Sequence, residues 1–310
     1  MPDAIVTDGL TKWYGSKCVV KALTLRVPEG CVYGFLGRNG AGKSTTIKML
    51  TGMVHADDGT ASLLGQDVAT LPPEMRQRIA YLAEGHPLYS WMTIDGLMRF
   101  NRPFYPAWNQ RLFDQIIEHF QLDRRQKIKH LSKGQVAQVS LALGIAPEPE
   151  LLILDDPTLG LDTVVRRDFL ESLIQIIQKK GRTIFLSSHV LGDVERVADR
   201  IGVMVDGVLR VDCPTDEFKQ SIRRVVLSFD SLPPVFSGCD GLVASHVEER
   251  RLELVIVGFG DVHQALFAAM TPVPKNIEVV ELNLEDAFIE YTRGSRRAIP
   301  VFAGDANADG

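Results

Sequence analysis

The chain is predicted to be an α/β protein built on a largely parallel sheet with helices on both faces. Three short apolar runs, at 31–36, 151–154 and 183–188, have the length and composition of strands buried on both sides. Helical patterns lie between them. The clearest spans 162–180, where Leu170, Leu173, Ile174 and Ile177 fall on one face and Gly181 stands just past the end. Strands that alternate with helices in this way run side by side in one direction.

A chain of 310 residues has room for one large domain or two smaller ones. Its 45% hydrophobic and 24% charged residues are those of an ordinary globular protein, not of a disordered or fibrous one. The formal charge of -5 supplies no basic face of the kind nucleic acid needs, so no nucleic-acid partner is expected. The one basic run, 124–130, reads as a solvated surface. Met1-Pro2-Asp3-Ala4 lacks the charged and apolar segments of a secretory signal, and no apolar run approaches the roughly 20 residues that cross a bilayer. Cys18, Cys31, Cys213 and Cys239 show no paired spacing and read as reduced thiols of a cytoplasmic protein. His55, His86, His119, His246 and His263 show no metal-ligand spacing either.

Ahead of the first buried strand, 4–10 and 19–27 read as antiparallel strands separated by a turn at Tyr14-Gly15-Ser16. A helix is expected from near Gly42 through Ile47 and Leu50 to a cap at Gly52. The stretch 87–131 is dense in aromatics, and 109–120 sets Leu112, Phe113, Ile116, Ile117 and Phe120 at helical spacing. Residues 87–146 therefore read as an α-helical insert. Asp206-Gly207, between apolar runs at 201–205 and 208–211, signals a hairpin. Beyond it the pattern changes. Residues 224–229 and 251–257 alternate like half-buried strands, 277–282 like another strand, and 262–270 and 284–291 like short helices. These predict a first domain at 1–218, a small α+β domain at 219–293 and a flexible tail at 294–310.

The sharpest chemical signal is Gly37-Arg38-Asn39-Gly40-Ala41-Gly42-Lys43-Ser44, followed by Thr45. It matches GxxxxGK[ST] and sits between a predicted strand and a predicted helix, the context this phosphate-binding loop requires. Glycines let backbone N–H groups curl around phosphate oxygens where a side chain would block the approach. The helix start adds a partial positive charge, Lys43 a full one, and the Ser44 hydroxyl a ligand for Mg²⁺. The strand at 151–154 delivers Asp155 at its C-terminal end, the edge at which open α/β sheets bind ligands. A carboxylate there suits the same Mg²⁺.

Leu131-Ser132-Lys133-Gly134-Gln135 resembles the LSGGQ signature of ABC ATPases, with Lys133 in its variable third place. In the same register, Asp156-Pro157-Thr158-Leu159-Gly160-Leu161-Asp162 resembles the family's acidic residue and D-loop. Ser187-Ser188-His189 resembles its switch histidine, and Tyr14 stands where the family stacks an aromatic on adenine. The resemblance covers about 3–215 and rests on five motifs in the right order. It implies a P-loop NTPase fold with an antiparallel β-subdomain and a helical insert. It further implies an ATPase in which Tyr14 and 37–45 bind ATP, Asp156 and His189 act on the γ-phosphate, and Ser44, Asp155 and Glu84 hold Mg²⁺. Two cassettes, most simply a homodimer, pack head to tail in this family, so that 131–135 and Asp162 of one copy meet the ATP of the other. The remaining partner is a separate transmembrane permease subunit, with the cassette on the cytoplasmic face of the membrane. The segment 283–290 resembles the tail of ABC-2 exporter ATPases.

Two positions depart from the family pattern. Glutamate is usual where Asp156 stands, and glutamine where Glu84 stands. A base misplaced by about 1 Å loses on the order of 10²-fold in rate, so the shorter stem of Asp156 leaves open a slow hydrolase, or a module closed by ATP and opened rarely. The other alternative is a non-transport ABC protein of translation or DNA repair. Those usually carry two fused cassettes or a long coiled-coil insertion, and this sequence has neither.

Overall fold

The computed structural model describes residues 2–178, 181–293 and 302–303. The chain divides into two compact units, 1–209 and 210–310.

In the first unit, β1 (Asp3–Tyr14) and β2 (Lys17–Pro28) form an antiparallel hairpin longer than the sequence suggests, turning at Gly15-Ser16 so that Tyr14 ends β1. Leu23, Leu25 and Val27 of β2 are buried and alternate with exposed Ala22, Thr24 and Arg26, the alternation of a sheet with one wet face. Next, β3 (Val32–Leu36) is buried at every residue and leads through the 37–42 loop into α1 (Lys43–Leu50). Then β4 (Asp58–Leu63) and β5 (Gln66–Asp67) complete an antiparallel sheet of order β2-β1-β4-β5. These two strands carry no sequence signal. Asp58-Gly59-Thr60 is polar and exposed, and only Ala61 and Leu63 of β4 are buried.

A short α2 (Pro73–Arg76) precedes β6 (Ile79–Leu82), and three helices follow: α3 (Ile94–Asn101), α4 (Gln110–His119) and α5 (Lys133–Ile145). The α4 pattern works as the spacing predicts. Phe113, Ile116 and Ile117 are buried, and the Asn109 side chain caps the helix by accepting from the Leu112 N–H at 2.9 Å. Beside this core, Tyr89, Trp91, Phe100 and Phe104 remain exposed and touch ring to ring: the Tyr89 centroid lies 4.9 Å from Trp91 and 5.7 Å from Phe100, which lies 5.8 Å from Phe104.

The chain re-enters the core as β7 (Leu151–Asp155), then α6 (Thr163–Gln178), β8 (Thr183–Ser188), α7 (Leu191–Glu195) and β9 (Arg200–Val205). The expected last turn of α6, at 179–180, lies outside the described residues. Within this unit the parallel strands run in the order β9-β3-β8-β7-β6. All of β3, β7 and β8 is buried, which is why those runs carry no alternation. Phe185 fills the centre of the sheet, its ring 5.6 Å from Tyr33 and 5.1 Å from Phe35. Because the strands are parallel, the loops leaving β3, β7 and β8 open at one edge.

Asp206 and Gly207, with φ of 49° and 84°, make the expected turn into β10 (Val208–Pro214). The second unit continues with α8 (Thr215–Ser221), β11 (Ile222–Ser228), β12 (Leu242–Glu248), β13 (Arg251–Val257), α9 (Asp261–Ala268), β14 (Asn276–Glu281) and α10 (Leu284–Arg293). Its antiparallel sheet has the order β12-β13-β11-β14. Val225, Leu227, Leu252, Leu254, Ile256 and Phe267 of α9 form its core. The sequence signal missed β12, whose seven residues are all at least partly exposed. A short β15 (Phe302–Ala303) runs parallel to β10; the rest of the 294–310 tail lies outside the described residues. No helix among the described residues is long and apolar enough to cross a membrane.

Phe185→Ala is expected to lower the unfolding free energy of the first unit by about 3–5 kcal/mol, read from urea denaturation, and Phe185→Leu by clearly less.

Candidate active site

A cleft of about 280 Å³ opens at the C-terminal edge of the parallel sheet, with Gly42, Lys43, Ser44, Glu84, Asp155 and Asp156 among its lining. The loop between β3 and α1 is shaped by close approaches. At Gly37 a Cβ would lie 2.6 Å from the Met204 carbonyl oxygen. Gly42 has φ of 112° and begins α1; a Cβ there would lie 2.7 Å from the Val19 carbonyl oxygen. No side chain caps this helix start, so its N–H groups remain available to an anion.

Lys43 is the first residue of α1 and only 7% exposed. Its ammonium donates to the Gly37 carbonyl at 2.6 Å and lies 3.5 Å from that of Arg38. Burial pushes this ammonium below its usual value, while Asp156, Asp155 and Glu84 pull in the other direction. The Ser44 hydroxyl donates to Asp155 Oδ1 at 3.1 Å, and the Ser187 hydroxyl donates to the same oxygen at 2.8 Å. Asp155 thus leaves the apolar β7 into a ring of hydroxyls.

Asp156 takes a left-handed backbone, φ 46°. Its N–H lies 3.2 Å from the Ser187 carbonyl and 3.0 Å from the Ser187 hydroxyl. One carboxylate oxygen, Oδ2, meets His189 Nδ1 at 2.5 Å; the other, Oδ1, is buried with no protein partner. Asn39, Gly40 and Thr45 also line the cleft, whereas Gly37 and Ala41 are buried and pack against each other, and Arg38 is exposed outside the lining. Tyr14 is half exposed at the end of its hairpin with Lys12 Nζ 5.7 Å above its ring, and Val19, not Tyr14, lines the cleft.

The signature segment forms a separate helix start. Ser132 and Gln135 close a reciprocal capping box: Ser132 Oγ accepts from the Gln135 N–H at 3.2 Å, and Gln135 Oε1 accepts from the Ser132 N–H at 2.9 Å. Leu131 precedes this cap, and both Ser132 and Lys133 are exposed. Gly134 has a packing reason the sequence hides, since a Cβ there would lie 2.7 Å from Val165 Cγ1 on α6. Asp162 caps α6, accepting from the N–H groups of Val164 and Val165 at 3.1 and 3.0 Å.

Sequence reasoning assigned no task to two groups, Ser187 and His86. Ser187 lies inside a recognised motif but bonds to Asp155 and Asp156 from 32 and 31 residues away. Non-local pairing of that kind leaves no spacing to read.

Gly42→Ala is expected to weaken ATP binding by at least about tenfold in a fluorescent-nucleotide titration, because its backbone is left-handed and a methyl group there meets the Val19 carbonyl oxygen at 2.7 Å and the Met204 side chain at 2.8 Å.

A family model described as "ABC transporter" matches residues 20–159. The ABC transporter ATP-binding protein YtrB of Bacillus subtilis is 31% identical over 297 residues, 93% of this chain and 98% of its own length. The bacitracin transport ATP-binding protein BcrA of Bacillus licheniformis is 33% identical, covering 72% of this chain and 74% of its own. The daunorubicin/doxorubicin resistance ATP-binding protein DrrA of Streptomyces peucetius is 35% identical, covering 72% and 69%. Among solved structures, an ATP-binding subunit of an ABC transporter matches with a TM-score of 0.64 and 28% identity over 70% of this chain and 92% of its own. The cleft, its glycine loop and the paired acidic residues therefore sit in a recognised setting, and the chain belongs to the ABC transporter ATP-binding protein family.

Proposed function

We propose that this chain is the ATP-hydrolysing subunit of a membrane exporter. It works as a pair of identical copies on the cytoplasmic face of the membrane, beside a separate transmembrane permease subunit. The observation that carries the reading is the meeting of Lys43, Ser44, Asp155 and Asp156 in one cleft at the open edge of the parallel sheet. The cassette role belongs to 1–218, and 219–293 is an accessory domain.

The N–H groups at the start of α1 and the Lys43 ammonium receive the β- and γ-phosphates, with phosphate oxygens taking the place of the Gly37 carbonyl on Lys43. Tyr14 offers its exposed face to adenine. Ser44 and Asp155, already in contact, fit Mg²⁺ as hard oxygen donors, with Glu84 a further oxygen on the cleft wall. Mg²⁺ is held through one or two carboxylates plus phosphates and water, which suits Asp155 and Glu84 standing beside the phosphate loop in one cleft. When bound, it neutralises charge on the transferring phosphoryl group. Asp156 is the base: His189 holds Oδ2, and the buried, unpartnered Oδ1 is left to accept from the attacking water. Ser132 of a second copy, with the helix start behind it, and Asp162 of that copy close the site from the far side of the triphosphate.

Exporter coupling draws on the apolar surface. Trp91 and Phe104 are 63% and 59% exposed, and with Tyr89 and Phe100 they make a contiguous aromatic patch on the helical insert. Exporter relatives such as BcrA and DrrA carry transport and resistance in their names, which agrees with this reading.

Asp156→Asn is expected to lower kcat by about 10²–10⁴-fold with ATP affinity little changed, and Asp156→Glu to keep or raise turnover. Full turnover in Asp156→Asn removes Asp156 as the base. Trp91→Glu is expected to leave basal ATPase activity intact while a tagged chain no longer captures a multispanning protein from detergent-solubilised membranes.

A further inference from the structure

We propose that His86 is a positioning residue that holds the Asp156 base in register with the loop carrying Glu84. Gly85 and His86 both have positive φ, 74° and 50°, and this reversal turns the imidazole into the protein, where His86 is only 5% exposed. Its Nε2 lies 2.8 Å from the Pro157 carbonyl oxygen. A carbonyl can only accept, so Nε2 carries the proton and donates. The other ring nitrogen is buried with no partner, so this single bond is what the buried ring contributes in polar contact.

The bond joins two pieces of the site. His86 lies two residues past Glu84, and Pro157 is the residue after Asp156. Asp156 holds a left-handed conformation that is sparsely populated for a residue with a Cβ, and such a conformation persists only when its surroundings fix it. On its N-terminal side Ser187 does so, through the Asp156 N–H. On its C-terminal side the Asp156 carbonyl accepts from the Leu159 N–H at 3.1 Å within the turn, and the anchors to other parts of the fold are the His86 bond to Pro157 and, one residue on, the Thr158 hydroxyl donating to Asp193 Oδ2 at 3.1 Å. The carboxylate has one methylene less than glutamate with which to absorb a backbone shift. The peptide after it therefore has to be held more tightly, and His86 is the anchor that also fixes its distance from Glu84. This inference rests on the proposed role of Asp156 as the base.

Three variants of the full chain separate positioning from simple packing. In His86→Gln the side-chain amide nitrogen falls where Nε2 was, so the donor to Pro157 survives. In His86→Asn the amide nitrogen falls where Nδ1 was, although asparagine tolerates the left-handed backbone best. His86→Ala removes the ring and its packing on Phe169, centroids 6.2 Å apart. The expected result is kcat within about threefold of the native chain for His86→Gln and a drop of about tenfold for His86→Asn and His86→Ala, with the KM for ATP unchanged. His86→Asn equal to or better than His86→Gln, or a change in KM alone, overturns the proposal; if His86→Ala does not fold, the Gln and Asn pair still decides. Asp156→Asn, assayed alongside, separates the two readings. Full turnover there removes the base assignment, whereas an inactive Asp156→Asn with indistinguishable Gln and Asn variants at 86 removes only the role of His86.

Discussion

Two consecutive carboxylates, Asp155 and Asp156, are buried to 2% and 8% exposure at the end of an apolar strand, with one buried lysine beside them. Withdrawing such ions from water costs several kcal/mol each unless partners replace the lost hydration. The site is organised around that cost. Ser44 and Ser187 hydroxyls turn toward Asp155, His189 holds one oxygen of Asp156, and the carboxylates counter the effect of burial on Lys43. Negative charge still exceeds positive there, since Glu84 also lines the cleft. A bare phosphate is poorly matched to such a site; a phosphate that arrives with a divalent cation is well matched.

The fold makes this concentration of charge possible by keeping polarity out of everything behind it. All of β3, β7 and β8 is buried, and their charged groups are confined to the residues at and beyond their C-terminal ends. Parallel direction is therefore a functional requirement here. An antiparallel neighbour would carry Asp155 and the glycine loop to opposite edges of the sheet.

Much of this was legible because the chemistry is written in contiguous stretches. The glycine loop, the acid at the end of β7 and the signature segment 131–135 each lie within a few consecutive residues, and local spacing reports them. The fully apolar strands were equally plain, and so was the amphipathic face of α4. What sequence could not display were contacts made across the fold: Ser187 reaching Asp155, His86 reaching Pro157, and Gly134 yielding space to Val165. The strands β4, β5 and β12 were silent for another reason. They lie at or near sheet margins, bury few side chains, and so carry neither strong alternation nor a sustained apolar run.

The proposed function requires one triphosphate to be enclosed by Lys43 of one copy and the Ser132 helix start of another. Lys43→Ala disables the first element. Ser132→Asp disables the second while keeping a helix-capping side chain, because it sets a negative charge against the phosphate. Each variant alone should be inactive. Mixed in equal amounts they should regain about a quarter of native ATPase activity, since half of the dimers are then mixed and each mixed dimer has one of its two sites intact. Full activity in either variant alone, or a mixture of folded chains that stays inactive, would contradict the enclosure of ATP between two copies.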